Sequence, residues 1–466
     1  MVLNYSVSAV CTCISSSNHS NKQTDDLEKP SSCEPNSPKE ESSQDYDPHS
    51  YGNQQHPTYF WGTLCNMFKT IIGTGMLALP FAFRSVGYGV AIVGIFLGGC
   101  IYLHVLHLLM EVEYELCKKL KTPNLTYLDI LTNIFEQGPP SVRKFIPVAK
   151  FLTYFHYVFN KCISNSIFLI TIGGNLQIIV NHYCDANLSI VSAISAMMVV
   201  IIPLALIRNL KFLAPLSIMT STFCIINIVL ILSIPTDYDS SSELKAITDI
   251  TKFPDFFGLS LGAFMCTSIV VPLKNDMKYP KTFTSSFGVI NVTLSAVVLI
   301  YCTFGFLGYV KYGDSLQGNI LFNLPPDGLI TLVILNLYTF AICNSFILTL
   351  YSIFDTLWSN LFKDRKMSYP IMAEYVLRIV LCMTAYCIAV TLPDFKIMAS
   401  LAGVMAILME ETMPIFFHIL MLVQKEHKTI KVYLCLLKDL VLISICSSLF
   451  FAALIEVIRS IVKFYN

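Results

Sequence analysis

Hydrophobic residues in this chain form long tracts separated by short polar connections, and this pattern begins after about residue 58. A helix needs about 20 apolar residues to cross a bilayer, and each tract is long enough to do so. The pattern therefore predicts about eleven membrane spans, at residues 60–83, 88–111, 147–180, 188–207, 211–234, 255–273, 287–310, 328–361, 370–391, 394–422 and 431–462.

The composition supports the same class of protein. Of the 466 residues, 54% are hydrophobic and 13% are charged, whereas soluble domains carry roughly 25% charged residues. Basic and acidic residues balance at 31 each, so no positive excess would attract nucleic acid. We predict an all-α polytopic protein that resides in a lipid bilayer.

Residues 1–58 differ from the rest of the chain, being rich in serine, asparagine, proline and acidic residues. Such a segment cannot bury enough apolar surface to offset its ordering entropy, which predicts a disordered tail before a transmembrane domain at 59–463. Lysines and arginines cluster after the second, fourth, sixth, eighth and tenth spans. By the positive-inside rule the N-terminus is cytoplasmic and the C-terminus extracellular or lumenal, in the plasma membrane or an endolysosomal membrane.

Two spans contain residues that interrupt helices. The first carries Ile72-Gly73-Thr74-Gly75 before Pro80, and the sixth carries Gly258, the run Cys266-Thr267-Ser268 and Pro272. A half-helix that begins at such a break presents backbone N–H groups to an anion such as a carboxylate. The alternative is a glycine seam for close helix packing. Interruptions at equivalent places in two halves favour an inverted-repeat transporter.

The run from Asn66 to Pro80 resembles the first-span signature of the proton-assisted amino-acid transporters, a family of the amino-acid/auxin permease superfamily. Further stretches agree in order and spacing, at residues 207–210, 272–280, 308–318 and 400–403. The resemblance covers residues 59–463.

The resemblance implies a LeuT-like fold, in which an inverted five-plus-five repeat of helices is followed by one extra helix. It also implies a secondary transporter without a cofactor, in which small neutral amino acids bind between the broken helices and enter with protons by alternating access. By this resemblance the substrate carboxylate would face one set of residues, Ile72, Gly73, Thr74 and Gly75. The amino-group side would be lined by Phe264, Met265, Cys266 and Ser268.

The chain departs from the family pattern at several places. Family members often have a histidine, implicated in proton coupling, where this chain has Asn66. They commonly have Glu-Gly-x-Gly where it reads Met265-Cys266-Thr267-Ser268, and a glutamate at Lys274. These departures leave the substrate and the coupling ion open.

Three ionisable residues within spans are the candidates for proton coupling, namely Lys161, Glu410 and Glu411. A charged group at the centre of a membrane helix costs about 2.5–3.5 kcal/mol, so such groups usually face a cavity or a partner. Consecutive helical residues point about 100° apart, so at most one of the two acids should face the pathway. The alternative is a static ion pair between one glutamate and Lys161.

Two further interpretations concern other functions. His104 and His107 share a face of the second span, and without a further ligand they favour interhelical hydrogen bonds over a metal site. The acidic, serine-rich tail motivates an alternative function, an amino-acid sensor that signals through partners with little flux. No nucleophile–base pair or metal cluster in the sequence indicates an enzyme.

Overall fold

A computed structural model describes residues 46–50, 57–207, 213–234, 244–361, 370–425 and 429–466. Within these residues the chain is helical and contains no β-strand. The helices are α1 (Phe60–Ile71), α2 (Leu79–Val86), α3 (Tyr88–Leu120), α4 (Tyr127–Gln137), α5 (Ile146–Tyr183), α6 (Ile190–Ala205), α7 (Leu213–Ser233), α8 (Phe253–Ala263), α9 (Thr267–Asn275), α10 (Val289–Tyr312), α11 (Leu329–Leu361), α12 (Pro370–Thr391), α13 (Phe395–Ala406), α14 (Met413–Gln424) and α15 (Ile430–Tyr465).

The described helices include eight spans that are long and apolar enough to cross a membrane, where α8–α9 and α13–α14 each count as one span. The pair α1 and α2, bent by 43°, makes a ninth. Shorter apolar helices, Ile190–Ala205 and Thr222–Ser233, lie where the fourth and fifth spans are predicted. The all-α polytopic architecture is confirmed, and the number eleven remains a prediction.

Both interrupted helices are present, but the residues that interrupt them are only partly those expected. The first break begins at Ile72 and continues as a 3₁₀ turn over Thr74–Ala78. Pro80 lies in the first turn of α2, where a missing N–H costs nothing. In the sixth span the break lies between Ala263 and Thr267. Gly258 and Pro272 lie inside helices and break neither, which corrects their expected role.

Close contact between α8 and α13 explains the glycines of this region. A Cβ added to Gly262 would lie 2.8 Å from the Gly403 Cα, so the two backbones touch where neither residue has a side chain. Gly258 approaches Ser400 of α13 in the same interface. Small residues permit such close helix packing in membranes. The sixth and tenth spans are thereby held together beside the second break.

Part of the predicted tail packs on the helices. Residues Pro48–Ser50 form a 3₁₀ turn, and the Asp47 carboxylate accepts a hydrogen bond from Tyr114 of α3 at 3.4 Å. Lys281 pairs with the same carboxylate at 2.9 Å. Burial lowers the pKa of His49 below its ordinary value of 6.5, and the hydrogen bond from Lys281 lowers the pKa of Asp47. The remaining residues of 1–56 lie outside the described part of the chain.

Candidate functional site

The first break combines open space with close packing. Among the described residues, an ideal Cβ built on Gly73 meets no atom within 4 Å apart from its two chain neighbours, and the backbone there is extended (φ −136°). A Cβ on Gly75 would lie 3.0 Å from the Ala263 Cα at the end of α8. Of the two interpretations, an open break therefore applies to Gly73 and close helix packing applies to Gly75. Gly73 borders free space, and Gly75 allows the two breaks to approach each other.

Tyr301 of α10 joins the two breaks. Its hydroxyl lies 2.8 Å from the Ile71 carbonyl oxygen at the end of α1 and 2.8 Å from the Ala263 carbonyl oxygen at the end of α8. These carbonyls belong to the last residue of each helix, where no further backbone N–H is available to them. A side chain from a third helix therefore fixes the distance between the two broken spans.

The start of α9 is occupied by groups from two other helices. The backbone N–H groups of Cys266 and Thr267 donate to the Tyr102 hydroxyl oxygen of α3 at 2.8 and 3.1 Å. The Thr267 N–H also points to the Glu410 carboxylate at 3.1 Å, and the Tyr102 hydroxyl donates to the same carboxylate oxygen at 3.2 Å. The helix N-terminus thus binds an internal carboxylate, as helix N-termini bind anions generally.

The two glutamates point toward different neighbours. They lie in a π-helical segment, Ile407–Thr412, between α13 and α14, a type of distortion that is frequent at functional sites. Glu410 faces the start of α9, whereas Glu411 is 3% exposed and lies 3.9 Å from the Cys446 thiol of α15. Only Glu410 therefore reaches a break, in keeping with the expectation for consecutive helical residues.

Lys161 does not form the predicted ion pair. Within the described residues its ammonium lies within 4 Å of neither glutamate, and it lies 5.9 Å from the centre of the Tyr157 ring. It remains within electrostatic range of Glu410. The static Glu–Lys pair proposed from sequence is therefore not observed.

The other residues predicted to bind the substrate lie at or near the two breaks. The buried Phe264 ring packs against the rings of Tyr301 and Tyr102 at 5.1 and 6.1 Å between centres. Met265 accepts a hydrogen bond from Asn160 at 3.6 Å, and Cys266 is buried beneath Tyr102. Ile72 is buried and Thr74 half-buried at the first break, but Ser268 is exposed. The structure therefore gathers these residues around the breaks, with Ser268 at the margin.

The structure shows what surrounds Lys274 and Asn66, two of the residues that depart from the family pattern. Lys274 forms an ion pair with Glu113 of α3, and both side chains are nearly inaccessible, at 3% and 0% exposed. The Asn66 side-chain nitrogen is buried without a hydrogen-bond partner among the described atoms. Glu113, Tyr102 and Tyr301 were absent from the sequence prediction. A single tyrosine or glutamate in an apolar span has no periodicity that would reveal its distant partner.

Within the described residues, no group of three or more histidine, cysteine, aspartate or glutamate side chains is arranged to hold a metal ion. Two surface cavities of about 520 and 730 Å³ lie away from the breaks, one along α15 and one near the end of α3. The polar groups that converge at the breaks therefore define the candidate site better than cavity size does.

The chain is similar in sequence to known amino acid transporters. Residues 56–459 match the family described as "Transmembrane amino acid transporter protein". The chain is 29% identical over 360 residues to "Proton-coupled amino acid transporter-like protein pathetic" of Drosophila melanogaster, covering 77% of this chain and 76% of that protein. It is 26% identical over 272 residues to "Amino acid transporter ANT1" of Arabidopsis thaliana, covering 57% and 59%.

Among solved structures, a Na⁺-coupled sialic acid symporter in a substrate-bound, outward-open state is similar to this chain. The alignment has a TM-score of 0.38 and 12% identity, and covers 78% of this chain and 85% of the symporter.

Proposed function

The chain belongs to the transmembrane amino acid transporter family, and on that premise we propose that it carries small neutral amino acids across a membrane together with protons. Family membership indicates a membrane transporter rather than an enzyme. The proposal adds the substrate class, the coupling ion and the residues that bind them.

The uncharged first break supports a neutral, small substrate. The free space that the described residues leave at Gly73 is bordered along the chain by Ile72 and Thr74. All three residues are uncharged. The backbone N–H groups of the 3₁₀ turn that follows suit a carboxylate, and the carbonyl ends of α1 and α8 suit an ammonium group. Close packing of Gly75 against Ala263 leaves little room for a large side chain at this point.

The contact between Glu410 and the start of α9 is the observation that carries the proton-coupling proposal. An ionised carboxylate accepts the Thr267 N–H strongly, and a protonated one accepts it weakly. Loading a proton on Glu410 would therefore loosen the second break, and losing the proton would fasten it. Since a moving break can open the site to one side, this contact supplies a physical link between proton binding and access.

The proposed orientation places the N-terminus in the cytoplasm and the C-terminus outside or in a lumen. Lys118 and Lys119 lie at one end of α3, and Lys425 lies at the end of α14. Such basic helix ends favour the cytoplasmic side. We propose residence in the plasma membrane or an endolysosomal membrane.

Transport by the purified protein in liposomes tests the proposal. We expect saturable uptake of labelled glycine or alanine that increases when the outside is made acidic. Glu410→Gln should abolish the acid stimulation while amino-acid exchange at equal pH continues, because the amide cannot release a proton. Glu411→Gln is the matched control and should retain the stimulation.

Two outcomes would count against the proposal. Retention of full acid stimulation by both variants would place the proton route elsewhere. Saturable binding without flux would favour the sensor, the alternative that the serine-rich, acidic tail suggests.

A further inference from the structure

A second group of ionisable side chains lies where α3, α14 and α15 pack together, away from the two breaks. His418 Nδ1 of α14 is 2.5 Å from Asp439 Oδ2 of α15. The histidine is 3% exposed and the aspartate 0% exposed. On the other side of the ring, His418 Nε2 lies 3.7 Å from the Glu111 carboxylate of α3, which is 53% exposed.

The charges around this histidine come from both neighbouring helices. From α15 the ring faces Asp439, whose other oxygen lies 3.3 Å from the Lys438 ammonium. From α3 it faces Glu111, and His104 is hydrogen-bonded to Lys438 at 2.9 Å. Ionisable groups inside membrane segments are costly and usually functional. Histidine is also the side chain that titrates near physiological pH.

The second α3 histidine belongs to a different contact. His107 Nε2 lies 2.8 Å from the Asn291 side-chain oxygen of α10. Each histidine of α3 therefore bonds to another helix, which confirms the interhelical role predicted for both. Because its ring meets an amide instead of a carboxylate, His107 provides a comparison for His418.

This cluster lies in line with Glu411, the sequence neighbour of Glu410, and is separated from it along α14 and α15. His418 follows Glu411 by seven residues, and Asp439 precedes Cys446, the contact of Glu411, by seven residues. Seven helical residues correspond to about 10.5 Å along an axis. Between the two levels lies an apolar layer that includes Leu108, Ile415 and Leu442.

We propose that the His418–Asp439 pair is a second proton-binding site, which exchanges protons with the surface at Glu111 and is linked to transport through α14, the helix that directly follows the π-helical segment of Glu410. The proposal rests on the proton coupling proposed above. A proton from the Glu111 carboxyl binds Nε2 as the Nδ1 proton passes to Asp439 Oδ2, so the Glu111 O–H and Nδ1–H bonds break while the Nε2–H and Asp439 O–H bonds form.

The first experiment measures proton binding without transport. The melting temperature of the purified protein in detergent is recorded between about pH 5 and pH 8, where histidine titrates. We expect a pH-dependent melting temperature in the wild type, a much flatter dependence in His418→Gln, and the wild-type dependence in His107→Gln. Equal pH dependence in the wild type and His418→Gln would overturn the proposal.

The second experiment measures uptake by the same proteins in liposomes. We expect the half-saturating proton concentration to change by about tenfold in His418→Gln, the equivalent of one pKa unit, with amino-acid exchange at equal pH retained. Asp439→Asn keeps the side-chain shape and should change the same quantity if His418→Gln does not fold. An unchanged uptake profile in both variants would make the pair a structural contact and refute the proposal.

The two proposals fail in different ways. Should the wild type show no uptake at any pH while its melting temperature still depends on His418, the proton site stands and the proposed transport fails. Should uptake depend on pH and on Glu410 but not on His418 or Asp439, the transport proposal stands and this one fails.

Discussion

At the scale of single residues, the two glycines of the first break are distinguished by their surroundings. Among the described atoms, Gly73 has free space at the position of a Cβ, in a backbone conformation open to any residue, whereas Gly75 touches Ala263. Sequence placed both in one motif and offered two explanations. The sequence could not show which explanation applies to which glycine, because only the position of α8 decides which of the two is packed.

This difference predicts two kinds of variant. In Gly73→Ala, we expect normal abundance and thermal stability, with uptake reduced at least about tenfold, because the methyl group takes up open space proposed for the substrate and overpacking a fitted site costs about 1–3 kcal/mol. In Gly75→Ala, we expect a lower melting temperature, since Ala263 must move. Uptake and melting curves of both purified variants provide the check. Full uptake by Gly73→Ala would remove that space from the substrate site.

At the scale of helices, the ion pair between Lys274 and Glu113 fastens α9 to α3. Removing one partner of a buried pair leaves an uncompensated charge and costs about 3–5 kcal/mol. We therefore expect Lys274→Met to lower the melting temperature strongly, and the double variant Glu113→Gln/Lys274→Met to recover much of the loss. Lys281→Met, which removes a 67% exposed partner of Asp47, is the control and should melt nearly as the wild type does. If the double variant melts lower than Lys274→Met, this pairing is not the source of the effect.

The helices also show which features the sequence could reveal. Hydrophobic length predicted the helical segments, since bilayer thickness sets the length of every span. The broken spans were predicted from glycine, proline and the run Cys266-Thr267-Ser268, and the second break falls at Phe264–Cys266, at the start of that run and not at Gly258 or Pro272. Its position depends on Tyr102 and Glu410, which supply partners for the freed N–H groups. Contacts between residues so distant in sequence leave no local pattern.

At the scale of the whole molecule, described residues before α1 pack against the connection that follows α9. Thr58 exchanges backbone hydrogen bonds with Asp276 and Lys278, and Asp47 binds Lys281. This segment therefore connects the start of the first broken span to the connection that follows the second.

Acid should weaken the packing of residues 46–50. Burial lowers the pKa of His49 and the bond from Lys281 lowers the pKa of Asp47, so the packed segment binds fewer protons than the released one. The packing is then strongest above the ordinary histidine pKa of 6.5, and weakens as the pH falls through it. Hydrogen exchange at Ser50, corrected for the intrinsic pH effect, should be faster at about pH 5.5 than at about pH 7.5. In His49→Ala this difference should shrink, and equal protection of the wild type at both pH values would contradict the argument.

The hydroxyl of Tyr301 has one proton, whereas two carbonyl oxygens lie within hydrogen-bond distance of it. At any instant the ends of α1 and α8 therefore share a single donor, and one of the two acceptors is incompletely satisfied. A primary ammonium group brings three N–H donors and would remove this deficit on entering between the breaks. A quaternary ammonium with the same carboxylate brings none. The count of donors and acceptors thus discriminates between substrates that charge alone would treat as equal.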